Sequence, residues 1–422
     1  MLHVLSKIFH AKYLTVFRIC VLTEIKINCL AFILGFGLKE TNLFGPLSET
    51  FLKMAEQGHV FHVICRESNS VSAKTLYEFP SGGFVQVHKI PQSNPLGRLK
   101  FLGILLETAS LIIKTQKINV MYTHIMPYLA EVGITLSKFY RIPHVYWICS
   151  DWPKEIHHQT PFVKRTVGDI QHYGIMKSTD HIFTCTEFCR KDRSQYLKLN
   201  PNKFSIIPNA VNIERFQTGE HSRHEIFQKY NIPDQSRLIL YFSSLSIRKG
   251  AVDLLHSIAY LKERTDVPFF ILFCGHGEQE RIEYEPWLRE NKLQELAYFT
   301  GAIPSEEAPQ YYHSCDIFCV PARYEGFGRV YVEAMACKKP IVSCKVGGIP
   351  EVVDHEKTGI LTASKNPLAL AEALAELLNH PQTAVEMGNA GYAKATRYYD
   401  QSIVAELTIK NFQKVIQASV LT

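Results

Sequence analysis

The chain has 422 residues, 46 % of them hydrophobic and 20 % charged, a balance that excludes a disordered, fibrous or polytopic membrane protein and a length that exceeds one ordinary core. Its net charge of +6 is uneven, with +9 over residues 1–220 and −3 over the remainder. Lys and Arg are nonetheless scattered and form no nucleic-acid stripe, so nucleic acid is not an expected partner.

In chain order, residues 1–25 carry Lys7, Lys12 and Arg18 among Leu, Ile, Phe and Val. That pattern suits an amphipathic helix on an anionic membrane surface, and equally an ordinary surface helix or tail. The run INCLAFILGFGL from Ile27 is shorter than the ~18 apolar residues that cross a bilayer, and no small-residue cleavage site follows it. It reads as a first buried strand. Similar runs begin at Val60 (VFHVIC), Phe84 (FVQVHKI), Val120 (VMYTH), His144 (HVYWICS), His181 (HIFTC) and Phe204 (FSIIPNA), with helix-period segments at Leu96 to Lys114 and Pro127 to Phe139. The alternation predicts βα units around a parallel sheet over residues 26–211.

The polar stretch VNIERFQTGEHSRHE from Val211 reads as an inter-domain linker. A second set of runs, starting at Arg237, Phe269, Ala297, Asp316, Pro340 and Gly359, predicts another sheet over residues 212–390, and residues 391–422 have the spacing of a surplus helix. The expected fold class is α/β with two parallel-sheet domains. Ligands then belong outside the carboxyl ends of the strands. Eleven cysteines include two C-x3-C pairs, Cys185 with Cys189 and Cys315 with Cys319. Both lie in or beside apolar strand-like runs and lack the knuckles of a zinc module, so buried thiols in a reducing cytoplasm are expected, and no metal site.

The most informative segment is DIFCVPARYEGFGRVYVEAMACKKPIV from Asp316. A strand ends at Pro321, a loop carries Glu325, Gly326, Phe327 and Gly328, and a helix runs from about Arg329 until Pro340. The two glycines permit close backbone approach, and the helix N-terminus favours a diphosphate. Glu325 stands at the crevice mouth with Glu333 two turns on, a separation that fits a nucleotide sugar. Spacing alone does not distinguish this pair from solvated helix carboxylates.

The segment resembles the retaining GT-B glycosyltransferases of family four, whose E-x7-E signature appears as Glu325 to Glu333 in EGFGRVYVEAMA. Further similar landmarks are IIPNAVNIERF from Ile206, RKG at Arg248 to Gly250, FCGHG from Phe273, FTGAI from Phe299 and GGIPEVVDHEKTGIL from Gly347. The resemblance implies two Rossmann-like domains facing a central cleft, an acceptor-binding first domain, a nucleotide-sugar-binding second domain, and a last helix crossing back to the first. It implies a catalytic set of Glu325, His124 and Lys249, with Lys249 on the donor diphosphate and His124 on the donor sugar. Arg248, Gly326, Phe327, Gly328, Glu333, Ile303 and Gly45 are the implied donor-binding residues, Glu333 on the ribose and Ile303 beside the base.

Three departures stand out. Ser244 occupies the place of an expected Arg, leaving Arg248 or Arg323 to supply that charge. The family's glycine-rich loop survives only as NLFGPLSET around Gly45, and Ala210 and Asn212 replace a Gly and an Asp. His144 and Asp151 read as structural. The implied reaction is metal-independent transfer from a nucleotide diphosphate sugar, UDP- or GDP-linked, to a glycan or lipid-linked hydroxyl acceptor at the cytoplasmic membrane face, with no cofactor. Two alternatives stay open: a phosphorylase or epimerase of the same fold, and a catalytically silent nucleotide-sugar-binding subunit.

Overall fold

A computed structural model describes residues 25–33, 45–66, 76–90, 98–149, 162–217 and 222–421. Residues 1–24 of the proposed amphipathic segment 1–25, and Asp151, lie outside the described residues. The first sheet holds β1 (Asn28–Ile33), β2 (Val60–Arg66), β3 (Leu76–Glu78), β4 (Phe84–Ile90), β5 (Val120–His124), β6 (His144–Trp147), β7 (His181–Thr184) and β8 (Phe204–Ile206). The second holds β9 (Arg237–Phe242), β10 (Phe269–Cys274), β11 (Ala297–Gly301), β12 (Ile317–Cys319), β13 (Ile341–Cys344) and β14 (Gly359–Thr362).

Strands such as β5 and β10 are buried at every position, because helices cover both faces of a parallel sheet and leave no wet side for polar residues. The first sheet runs β3-β4-β2-β1-β5-β6-β7-β8 and the second β11-β10-β9-β12-β13-β14. All pairings are parallel except β3 with β4. That three-residue antiparallel edge strand carries no apolar run, and the sequence pattern did not reveal it.

In each sheet the chain winds outward one way and then returns to the other side of its starting strand. The switch points fall between β1 and β5 in the first sheet and between β9 and β12 in the second. Crevices open at such points beyond the strand ends. His124 ends β5, Lys249 follows β9 and Glu325 follows β12, so both crevices contribute to one cleft.

The two domains are joined twice. Val211 pairs with the Tyr399–Asp400 segment through Val211 N–H to Tyr399 O at 2.9 Å and Gln401 N–H to Val211 O at 3.2 Å. The helix Pro381–Tyr398 still packs on the second domain against Arg329–Ala336, while Gln401–Val420 packs on the first against Gly45–Glu56. The return crossing therefore lies at Tyr399–Asp400, not at residue 391. Asp400 stops one helix and starts the next, its side chain accepting from Ser402 N–H at 2.9 Å, as an N-cap should. Among the described residues no helix is long and apolar enough to cross a membrane.

Candidate active site

The cleft encloses a cavity of about 420 Å³. Phe51, Tyr122, His124 and Trp147 line one wall; Lys249, Glu325, Gly328 and Arg329 line the other. Lys249 ends a single 3-10 turn, Ile247–Lys249, and its ammonium pairs with Glu325 Oε2 at 2.5 Å. Both side chains are largely buried, at 16 % and 13 % exposure, so solvent screens their attraction far less than on an open surface.

The loop that presents Glu325 is held by backbone contacts. Gly348 N–H donates to Glu325 O at 2.9 Å. A Cβ on Gly347 would lie 2.0 Å from Glu325 O, and one on Gly348 2.0 Å from Gly326 O, so only glycine admits this approach. Gly328 caps the helix Arg329–Ala336 at φ 80°, with the Tyr331 ring 2.3 Å from where a Cβ would sit. Phe327 is buried edge-on against Tyr399, 5.4 Å between ring centres, and so ties the loop to the domain crossing.

Glu333 lies on the helix Arg329–Ala336. Its carboxylate accepts from Tyr312 OH at 2.8 Å and from Arg329 Nε at 2.8 Å, and it is not among the residues lining the cavity. Of the two candidate replacements at Ser244, Arg323 is committed elsewhere: its Nε and Nη2 each lie 2.8 Å from the buried Asp253 carboxylate. Arg248 makes no side-chain ion pair among the described residues and neighbours Lys249. Ser244 itself meets Ser246 Oγ at 3.1 Å.

His124 ends β5 with its Nδ1 2.7 Å from Tyr122 OH and its ring stacked on Trp147 at 4.3 Å. Burial lowers its pKa to about 3, so the imidazole is neutral at physiological pH and acts by hydrogen bonding, not charge. The next residue, Ile125, has φ 59°, a left-handed conformation costly for a β-branched side chain. Tyr146 OH donates to Ile125 O at 2.7 Å and helps hold it there. His144 is a structural residue as expected, bonded to Thr123 and Thr179 hydroxyls at 2.9 and 2.7 Å.

Gly45 opens the helix Gly45–Glu56, whose Leu47, Thr50 and Phe51 reach the cavity. Ile303 is half-buried two residues beyond β11 and does not line it. Sequence reasoning missed several residues that build the site. Trp147 stacks on His124, and Asp253 sequesters Arg323. Thr186 Oγ1 donates across the cleft to Gly326 O at 2.9 Å. Glu351 accepts from Glu187 and Phe188 N–H at 2.7 Å each, capping a first-domain helix from the second domain. Only Glu351 lay in a recognised landmark; the others carry no local signal.

Two family models match, Glycosyltransferase Family 4 over residues 49–215 and Glycosyl transferases group 1 over 222–394. D-inositol 3-phosphate glycosyltransferase of Corynebacterium kroppenstedtii is 23 % identical over 380 residues, covering 83 % of this chain and 80 % of that one. A GDP-mannose-dependent alpha-(1-6)-phosphatidylinositol monomannoside mannosyltransferase of Mycobacterium tuberculosis is 29 % identical over 44 % of this chain and 49 % of its own. The crystal structure of Anabaena Alr3699/HepE in complex with UDP and glucose superimposes with a TM-score of 0.71 over 92 % of this chain and all of that one, at 18 % identity. These structures share the two-domain GT-B fold.

Proposed function

The chain belongs to glycosyltransferase family four, and we propose that it moves a sugar, with retention at the anomeric carbon, from a UDP- or GDP-linked donor to a hydroxyl of a glycan or lipid-linked acceptor. The observation that carries this reading is the Lys249–Glu325 ion pair at the cavity wall, facing a wall that holds neutral His124. A donor diphosphate competes with Glu325 for the Lys249 ammonium, and the carboxylate so released turns to the sugar hydroxyls. Arg248 supports Lys249 in offsetting the charge that grows on the departing phosphate, a contribution of several kcal/mol in a water-poor site.

His124 fixes a sugar hydroxyl, and the acceptor approaches along the first-domain wall, on the face from which the phosphate leaves. The phosphate takes the acceptor proton, so no separate base and no metal enter the step. Glu333 engages the ribose once Arg329 yields to the ligand; Ile303, Gly326, Phe327 and Gly328 shape the donor side. The relatives named for D-inositol 3-phosphate and for phosphatidylinositol monomannoside support a glycolipid or a surface-polysaccharide intermediate as acceptor, and such an acceptor would place the enzyme on an anionic membrane surface.

A donor panel read by mass spectrometry, with a membrane extract as acceptor source, tests this directly. Transfer by the wild-type chain and none by Glu325→Ala supports it. Donor binding without turnover favours the silent subunit, and turnover that requires orthophosphate or no acceptor favours the phosphorylase or epimerase.

A further inference from the structure

A cluster that the transfer reaction does not use lies in the partition between the two domains. Cys149 follows β6, Cys185 follows the adjacent strand β7, and Cys189 sits in the first turn of the helix Glu187–Tyr196. Their sulfurs lie within 4.8 Å of one another, with 2.8 Å between Cys149 and Cys185 and 3.7 Å between Cys185 and Cys189. Sequence spacing pairs Cys185 with Cys189 only. The third member comes from 36 residues away in the chain and joins them because β6 and β7 are parallel neighbours ending at the same level.

We propose that Cys149, Cys185 and Cys189 form a thiolate site for one soft d10 cation, Zn²⁺ or Cu⁺. Three sulfurs around such an ion, at about 2.3 Å each, stand about 3.8 Å apart. The Cys185–Cys189 separation already meets this, and Cys149 needs a shift of about 1 Å on the same scale. Soft thiolates favour these ions over Mg²⁺ or Ca²⁺. Two ligands are anchored on strand ends and one on a helix turn, which gives the set a rigid frame.

The surroundings fit as well. Gly326 O lies 3.6 Å from Cys189 Sγ and 3.9 Å from Cys185 Sγ, so the ion would sit against the backbone of the loop that presents Glu325. Cys149 lines the donor cavity and Cys185 a second, larger one of about 840 Å³ behind it, which provides an entry path. Without a cation, hydrogen bonding of the Cys185 thiol with Cys149 and Cys189, together with burial, holds it well above its usual pKa. A bound cation reverses that by neutralising the thiolates. The role is structural, tying the first domain to the donor loop, and is separate from glycosyl transfer.

The test uses the full chain, kept reduced and stripped of metal by a chelator. Titration with Co²⁺ should produce a thiolate-to-cobalt absorption in the near ultraviolet at one equivalent, displaced by Zn²⁺ or Cu⁺, the two arms distinguishing the native ion. Cys185→Ala should remove the band and weaken Co²⁺ binding by about 100-fold or more, while Cys344→Ala, elsewhere in the second domain, keeps it. Should Cys185→Ala fail to fold by circular dichroism, Cys149→Ala on the cavity wall takes its place. UDP and GDP binding, measured in parallel, keeps this result apart from the donor-site reading. The proposal is overturned by a reduced wild-type chain that shows no thiolate–cobalt band, by a band that survives loss of Cys149 or Cys185, or by a Cys149–Cys185 disulfide recovered from acid-quenched, alkylated cells in place of metal.

Discussion

The two walls of the cleft solve different problems. On the second-domain side Lys249 and Glu325 pair on the cavity wall, Arg329 on that wall pairs with Glu333 behind it, and Arg323 pairs with Asp253 away from the lining. The first-domain wall is ring-lined and uncharged, with Tyr122, Trp147, Phe51 and a neutral His124. Paired charges are exchangeable, since an incoming diphosphate can replace one partner without leaving the other buried alone. A wall of stacked rings offers shape, apolar contact and a few fixed hydrogen bonds, the means by which sugars and acceptors are oriented. In the proposed reaction, charge handling falls to one domain and positioning to the other.

The contrast is broken most severely at Glu325. Glu325→Gln should reduce turnover by about 1,000-fold with the circular dichroism of a folded chain, and by removing the carboxylate that faces the largely buried Lys249 ammonium it should also cost about 3 kcal/mol in urea unfolding. Turnover within a few-fold of wild type would remove Glu325 from the reaction. Removing the pair that takes Arg323 out of the cleft comes next. Asp253→Asn removes the carboxylate from a mostly buried guanidinium and should cost about 3 kcal/mol in urea unfolding; a loss under about 0.5 kcal/mol, the surface-pair range, would mean that the pair contributes no more than one on the surface.

On the uncharged wall, His124→Ala should lower turnover by about 10- to 100-fold through lost positioning. Because its pKa is about 3, no His124 step should appear in a pH–rate profile between pH 5 and 8. An inflection there that vanishes in His124→Gln would show that the ring does titrate.

The same burial has a stability signature. His124 and His144 are lowered to about 3, and His62 and His181 to about 4. Below about pH 6.5 the unfolded chain gains protons that these folded imidazoles refuse. Stability is therefore fully present above that pH and falls as pH drops towards the folded values. Urea midpoints at pH 5 should lie below those at pH 7.5; equal midpoints would contradict neutral buried rings. The smallest effect belongs to the seam between the walls, where Glu351→Gln should cost about 1 kcal/mol through the weakened helix cap, seen as faster amide exchange at Glu187 and Phe188.

How much of this was legible beforehand depends on whether the signal is local. Every apolar run read as a strand is one, because a parallel strand covered on both faces must be continuously apolar. The EGFG loop was legible for a related reason, since close backbone approach demands glycine at fixed positions, whereas the RKG turn was legible only through the family resemblance. β3 was missed because a short antiparallel edge strand with half-wet faces needs no apolar run. Arg323 looked available from its place beside Glu325, yet Asp253, 70 residues away, takes it, and no pattern at that distance announces the pair.

Apolar periodicity and glycine spacing, which act over a few residues, were enough for the two parallel sheets and for the glycine-flanked loop beyond a strand end; the roles of Glu325, His124 and Lys249 came from the family resemblance. The partners were left to the tertiary structure. It set Lys249 against Glu325, closed Glu333 behind Tyr312 and Arg329, laid His124 on Trp147 and drew Cys149 beside Cys185, because those meetings depend on strand order and domain closure, which join residues far apart in the chain.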